Sequence, residues 1–267
     1  MTRTTARRTV VSIAVTAALA CATACTDAEG PTGGPAGTPA LTGPAAEALR
    51  TVERATGRAG SARVESTTVM GRELSLEAVG ALGWSGGLTG TLTITYTGGT
   101  TAETMRRLGT TSMEARYLPD AYYARMGDRF AGRAGGRHWI KYVYADVEDL
   151  GGDTAVGFAD QMRDTTPHQA VKRLLAADDV REVGEETTRG RRTTHWTGTV
   201  GGATPQTVDI WVDDRDLPVK KVERGRTGTG ELTQTAYYSD YGVTVSAKRP
   251  PAGDTADFKE LLAARDS

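Results

Sequence analysis

Ser85 lies in Gly83-Trp84-Ser85-Gly86-Gly87, the spacing of the nucleophile elbow of serine hydrolases. Acyl transfer at such a serine needs a tight strand-to-helix turn, a histidine base and an oxyanion hole. Here the pentapeptide separates two segments that both alternate apolar and polar residues, so it reads as a hairpin turn. The histidines, His138, His168 and His195, are not within metal-ligand spacing of one another, and no cysteine lies near them. His168 falls near a predicted helix start. His195 alternates with Trp196, whose ring is expected to pack inward while the imidazole faces out. Asp213, Asp214 and Asp216 could gather a cation, but "DDRD" has the composition of an acidic hairpin turn. Arg189, Arg191 and Arg192 form a basic turn, solvated or able to touch a lipid phosphate or a partner. No catalytic residue, metal or cofactor is expected, and the chain reads as a non-enzyme.

The remaining reactive side chains are the thiols of Cys21 and Cys25. Arg3, Arg7 and Arg8 precede a small and apolar run from Val10 to Ala24. That run is shorter than the ~20 residues a membrane-spanning helix needs. A basic head, a short apolar body and small exit residues make a secretory signal. Its end, Ala22-Thr23-Ala24-Cys25, resembles the lipobox of bacterial lipoproteins, in which the cysteine becomes the acylated first residue of the mature chain. Cys21, after Ala18-Leu19-Ala20, is the alternative acceptor. Cys25 is preferred because it leaves the longer apolar body and is followed at once by the polar "TDAEG". Arg7-Arg8 leaves both the Sec and the twin-arginine export routes open. The expected organisation is a signal peptide at 1–24, an acylated cysteine with a Gly/Pro tether at 25–43, and a folded domain at 44–267. The expected place is the extracytoplasmic face of the cell membrane, held by the lipid anchor. As a flexible coil the tether would span ~20–25 Å.

Residues before Cys25 account for three of the 32 basic residues and none of the 33 acidic ones, leaving 29 against 33, a net charge of -4. This balance offers no basic field for nucleic acid.

What positions these residues is a set of strands. In "RELSLEAVGALGW" the even positions from Leu74 to Trp84 are apolar or small, and the alternation resumes from Leu88 to Tyr96 with threonines between. Period two on both sides of a Gly-rich turn predicts a hairpin with its even-numbered face buried. Further strands are expected at 113–118, 121–126, 138–144, 180–186, 192–200, 207–213, 217–224 and 232–241. Helices are expected at 44–56, with Thr42 as cap, at 154–163, at 167–177 with Thr166 as cap and Pro167 at the first position, and at 255–265 behind Asp254. The fold class is therefore α+β: a single large antiparallel sheet whose apolar face is covered by a few helices.

This layout is similar to the LolA/LolB-like superfamily, and more closely to the LprG-type actinobacterial lipoproteins. The acyl-cysteine signal and tether carry the resemblance, with "AAEALRTVERATGRAGSARVES", "HWIKY", "TPHQAVKRLLAADDVREVGEE" and "TVDIWVDDRDLPVKKV". It implies a curved half-barrel with helices on the concave face and an apolar cavity for the acyl chains of lipids or glycolipids. The residues expected to line such a cavity are Leu76, Trp84, Leu92, Ile94, Tyr96, Trp139, Phe158, Met162, Leu174 and Trp196. A competing reading is an envelope interaction protein with a solid core, which docks another protein on its Thr- and Glu-rich outer face.

Overall fold

The alternating segments around Ser85-Gly86-Gly87 pair as an antiparallel hairpin, β2 (Leu74–Gly83) with β3 (Thr89–Gly98). Its register sets Ala78 opposite Ile94, Gly80 opposite Leu92 and Leu82 opposite Gly90. Ala78, Leu82, Leu92 and Ile94 are buried, while Glu77, Val79, Thr93 and Thr97 are exposed. The even face is inside, as the period requires.

The computed structural model describes residues 43–146, 165–177, 179–201 and 205–266. The other strands are β1 (Ser61–Met70), β4 (Ser112–Tyr117), β5 (Ala121–Arg125), β6 (Trp139–Val143), β7 (Arg181–Thr188), β8 (Arg191–Val200), β9 (Gln206–Asp213), β10 (Pro218–Thr227), β11 (Gly230–Ser239) and β12 (Thr255–Asp257). All twelve belong to one open sheet, ordered β12-β6-β5-β4-β3-β2-β1-β11-β10-β9-β8-β7. Two meanders, β1–β6 and β7–β11, join through antiparallel pairing of β1 with β11. Only β12 is parallel to its neighbour, β6, among the described strands.

The helices are α1 (Pro44–Ala59), α2 (Gly99–Arg107), α3 (Asp128–Ala131), α4 (Pro167–Leu175) and α5 (Phe258–Asp266). Thr166 caps α4 by accepting from the Gln169 N–H at 3.3 Å, with Pro167 following as expected. Ala170, Val171 and Leu174 of α4 meet Leu49 and Val52 of α1 over Trp196, Val208, Ile210 and Val212 of β8 and β9. These two helices define the inner face of the sheet. Gly198 lets α4 approach, since a Cβ there would meet Leu174 Cδ2 at 3.0 Å.

Several expectations are corrected. Gly43, not Thr42, occupies the N-cap of α1, and the helix runs to Ala59 before a left-handed Gly60. Strand β1 and helix α2 were not expected. The segment from Thr255 begins as strand β12, and α5 starts only at Phe258. Asp254 serves His138 instead of a helix: its Oδ1 accepts the His138 backbone N–H at 2.8 Å and lies 2.7 Å from Nδ1. Those bonds hold the Asp254 carboxyl below its ordinary pKa. The helix expected at 154–163 lies outside the described residues.

Gly80 and Gly90 sit mid-strand, and the ladder passes both without a register shift. Close approach of the neighbouring backbone is what requires them. A Cβ on Gly80 would stand 2.1 Å from the Thr91 carbonyl oxygen, and one on Gly90 2.3 Å from that of Ala81. Gly90 also has φ +151°, a conformation costly for other residues. Gly90→Ala is therefore expected to cost about 2–4 kcal/mol, from strain and overpacking together. Gly86→Ala, with nothing within 4 Å of the added carbon, should stay within about 0.5 kcal/mol. Paired denaturant titrations of the two variants check the contrast.

Candidate functional site

The register carries the inner face from β8 to β3. One row runs Trp196–Ile210–Lys221–Ala236–Ser66–Ala78–Ile94, and the next runs Val208–Glu223–Gln234–Thr68–Leu76–Tyr96. Paired residues share a face, so the apolar cluster under α1 and α4 and the cluster on β1–β6 lie on one side. Between them stands β10, which presents Lys221 and Glu223 instead of apolar residues.

This strip is buried and bonded. The Lys221 side chain is 1% exposed; its Nζ lies 3.2 Å from Glu223 Oε1 and donates to Gln234 Oε1 at 3.0 Å. Arg173 reaches from α4 to donate to Glu223 Oε1 at 2.8 Å and to Gln206 Oε1 at 2.7 Å. Gln234 in turn donates to Thr68 Oγ1 at 3.4 Å. Charges in a dry interior persist only when paired and hydrogen-bonded. Lys221, Glu223 and Arg173 meet that condition as one unit.

Beyond the strip, the β1–β6 half is apolar and rich in phenols. Tyr117, Tyr122 and Tyr142 follow one another across β4, β5 and β6, with ring centroids 5.2 and 5.6 Å apart. Phe258 of α5 closes the row, 4.7 Å from Tyr142. Tyr238 on β11 is buried opposite Val64, and its hydroxyl has no hydrogen-bond partner among the described residues. Burial raises the pKa of Tyr117, Tyr122, Tyr142 and Tyr238, and the Glu223 charge adds to the rise at Tyr238. All four are phenols, not phenolates, at neutral pH, and each hydroxyl can donate.

The residues expected to line one hollow divide into groups. Leu76, Leu92, Ile94 and Tyr96 gather in the β1–β6 cluster, with Trp84 packed at its edge. The Trp84 Nε1 donates to the Thr56 carbonyl at the end of α1, at 3.1 Å. Leu174 and Trp196 belong to the other cluster, beyond the charged strip. Trp139 is a correction. It is buried with Ala121 and Tyr123 on the outer face, under the Arg116 guanidinium, because the inward positions of β6 are Ile140 and Tyr142. Phe158 and Met162 lie outside the described residues. The sequence reading missed Lys221, Glu223, Arg173 and Tyr238. The signal available was two adjacent lysines and a glutamate, "VKKVE", in a strand flanked by apolar ones.

The other candidate chemistry resolves into local structure. Ser85 stands on the exposed hairpin turn, and no hydrogen bond joins it to a histidine among the described residues. His195 faces outward as expected, though it is half-buried: it stacks on Trp211 and lies 2.9 Å from Asp209 Oδ1. The Asp213 carboxylate is filled by Arg191, Arg215 and the backbone N–H groups of Arg215 and Leu217, a turn-closing role. In the basic turn, Arg189 pairs with Glu65 and Arg192 with Glu185. Two surface clefts, of about 470 Å³ beside Arg106 and Arg129 and about 540 Å³ beside Arg224 and Arg226, touch none of the expected lining residues.

No protein-family profile matches the chain. A Streptomyces coelicolor protein designated a lipoprotein is 85% identical over 85% of this chain and 80% of its own length. A 31.2 kDa Streptomyces griseus protein encoded between rplA and rplJ is 47% identical, covering 80% of this chain and 79% of itself. Similar solved structures include LprF from Mycobacterium bovis, 14% identical with a TM-score of 0.46, over 78% of this chain and 97% of that one. The Mycobacterium tuberculosis lipoprotein LppX is 15% identical with a TM-score of 0.46, over 76% and 98%. Among the described residues no helix is long and apolar enough to cross a membrane.

Proposed function

We propose, because the chain belongs to the family of the Streptomyces coelicolor lipoprotein, that it is anchored by an acylated Cys25 and holds an acyl chain of a lipid or glycolipid. The anchor places it on the extracytoplasmic face of the cell membrane, with residues 26–43 as tether. The observation that carries the ligand reading is the inner face of β1–β6. Apolar and phenolic side chains run from Tyr238 on the neighbouring β11 and Val64 through Leu92 and Ile94 to Tyr142, and the field stops at a buried charged strip. These side chains are buried already, so an acyl chain has to enter among them; each methylene taken from water contributes about 0.8 kcal/mol, from which the costs of opening and association are subtracted. Nothing in this role requires a nucleophile, a base or a cofactor.

Titration of the whole chain carrying Cys25→Ser with cis-parinaric acid is expected to give a saturable rise in probe fluorescence. Ile94→Glu, which introduces a charge into the middle of the field, should abolish it while Val79→Glu on the outer face leaves it unchanged. If the folded wild-type sheet shows no saturable signal, the acyl reading fails. The envelope interaction reading, with the Thr- and Glu-rich outer face of β1–β3 as the docking surface, then takes its place.

A further inference from the structure

Two buried donors on the inner face point at what the ligand's polar end must be. Lys221 has three N–H groups, and Glu223 and Gln234 engage two of them. The Glu223 oxygen that Lys221 meets is also held by Arg173, so its charge is shared between two cations. Tyr238 supplies the second donor, a phenol that is 2% exposed and has no hydrogen-bond partner among the described residues. Register puts the two side by side. Lys221 pairs with Ala236, and Tyr238 is the next residue of β11 on that face, a diagonal neighbour at ~7–8 Å. Long side chains bridge such a distance. A buried hydroxyl left unmatched costs about 1–3 kcal/mol, so a position that keeps one is more naturally a place where an acceptor arrives. Lys221 and Tyr238 also stand where the charged strip meets the apolar field, with Val64 opposite Tyr238 and Ser66 opposite Ala236.

We infer that Lys221 and Tyr238 bind the anionic oxygen head of a single acyl amphiphile, a carboxylate or a phosphate monoester, whose chain then lies along β1–β6. The inference rests on the proposed acyl-binding function and adds the chemistry of the head group. Lys221 Nζ contributes a charge-assisted bond and the Tyr238 hydroxyl a neutral one, and a single anionic oxygen group can accept both. The strip blocks extension of the chain toward β8 and β9, because an alkyl group crossing it would strip Lys221 and Glu223 of their partners. The head is therefore fixed at β10 and β11, and the chain has one direction open to it.

The test is displacement of a neutral probe, methyl cis-parinarate, from the whole chain carrying Cys25→Ser. The competitors are dodecanoate, dodecyl phosphate and dodecanol, which share one alkyl length. At least one anion is expected to displace the probe at about tenfold lower concentration than dodecanol, the worth of one charged hydrogen bond. Which anion does so distinguishes a fatty acid from a phosphate head. Tyr238→Phe, which removes one oxygen from the protein, should lower that advantage about threefold, within the range for a neutral hydrogen bond, and leave dodecanol unchanged. Lys221→Met should erase the advantage, and Lys221→Arg should restore part of it. Equal displacement by all three competitors overturns the assignment, as does an anion advantage that survives Tyr238→Phe at full size. Failure of the probe itself to bind overturns the acyl reading beneath it, and is seen before any competitor is added.

Discussion

Glu223→Ala is expected to be among the most destabilising single changes on the sheet, at about 3–5 kcal/mol. The carboxylate is the shared partner of Lys221 and Arg173, and its side chain is 11% exposed. Removing it leaves the Lys221 ammonium, 1% exposed, with Gln234 as its remaining partner among the described residues. The cost is that of an unpaired buried charge, which far exceeds the net worth of the pair itself. Against a domain stability of about 5–15 kcal/mol this is a large share, and it should lower the melting temperature on the order of 10 °C. Adding Lys221→Met to Glu223→Ala should recover at least half of the loss, because the orphaned charge is gone and the thioether fits the same space. Glu185→Ala breaks the exposed pair with Arg192 and should cost less than about 1 kcal/mol. Melting curves of the three variants and the wild type decide it. A Glu223→Ala variant melting with the wild type, or a double variant no better than the single, would show that the strip is not an electrostatic unit.

The same strip explains where the sequence was legible. The β2–β3 hairpin could be read because its even positions are apolar or small while Ser, Glu and Thr fill the odd ones near its centre, Val79 and Ala81 excepted, and the buried face followed. The α4 start was equally plain, since Thr166 and Pro167 each favour one position of a helix start. Strand β1 hides because two of its inward residues are Ser66 and Thr68, polar where the pattern demands apolar. Register sets Thr68 opposite Gln234, from which its hydroxyl accepts a hydrogen bond, and Gln234 is itself bonded to Lys221. In "VKKVE" Lys221 and Glu223 point in while Lys220 points out over Trp211, a sorting that periodicity cannot make when charges lie on both faces. Trp139 misled for the opposite reason: a large aromatic reads as interior, and here the outer face has an interior of its own. The segment after β11 crosses that face, with Arg249 bonded to the Tyr123 hydroxyl and Arg116 donating to the Lys248 carbonyl. The crossing also brings β12 beside β6. A three-residue parallel strand has no pattern to be read, and Asp254-Thr255 therefore resembled a helix cap.

Cys25→Ser is expected to convert the protein from membrane-bound to soluble, the largest change in behaviour that any one residue controls. The proposed anchor is a diacylglyceryl cysteine. A single acyl chain gives only marginal and reversible binding, whereas two chains hold stably, at about 0.8 kcal/mol for each buried methylene. No other part of the described chain replaces them: no helix there is long and apolar enough to span a bilayer, and the mature charge of -4 does not favour an anionic surface. Loss of the thiol should thus release the chain to the medium or leave it as an unprocessed precursor, without altering the sheet. The measurement is phase partition of cell fractions in a cloud-point detergent, with the mass of the mature N-terminal peptide read alongside. The wild-type chain should enter the detergent phase and show a lipid adduct on Cys25, and Cys25→Ser should remain aqueous. Should Cys25→Ser still partition into detergent while Cys21→Ser does not, the acceptor is Cys21, the signal ends four residues earlier, and the tether is longer by the same amount. If neither substitution releases the protein, acylation is not what holds it.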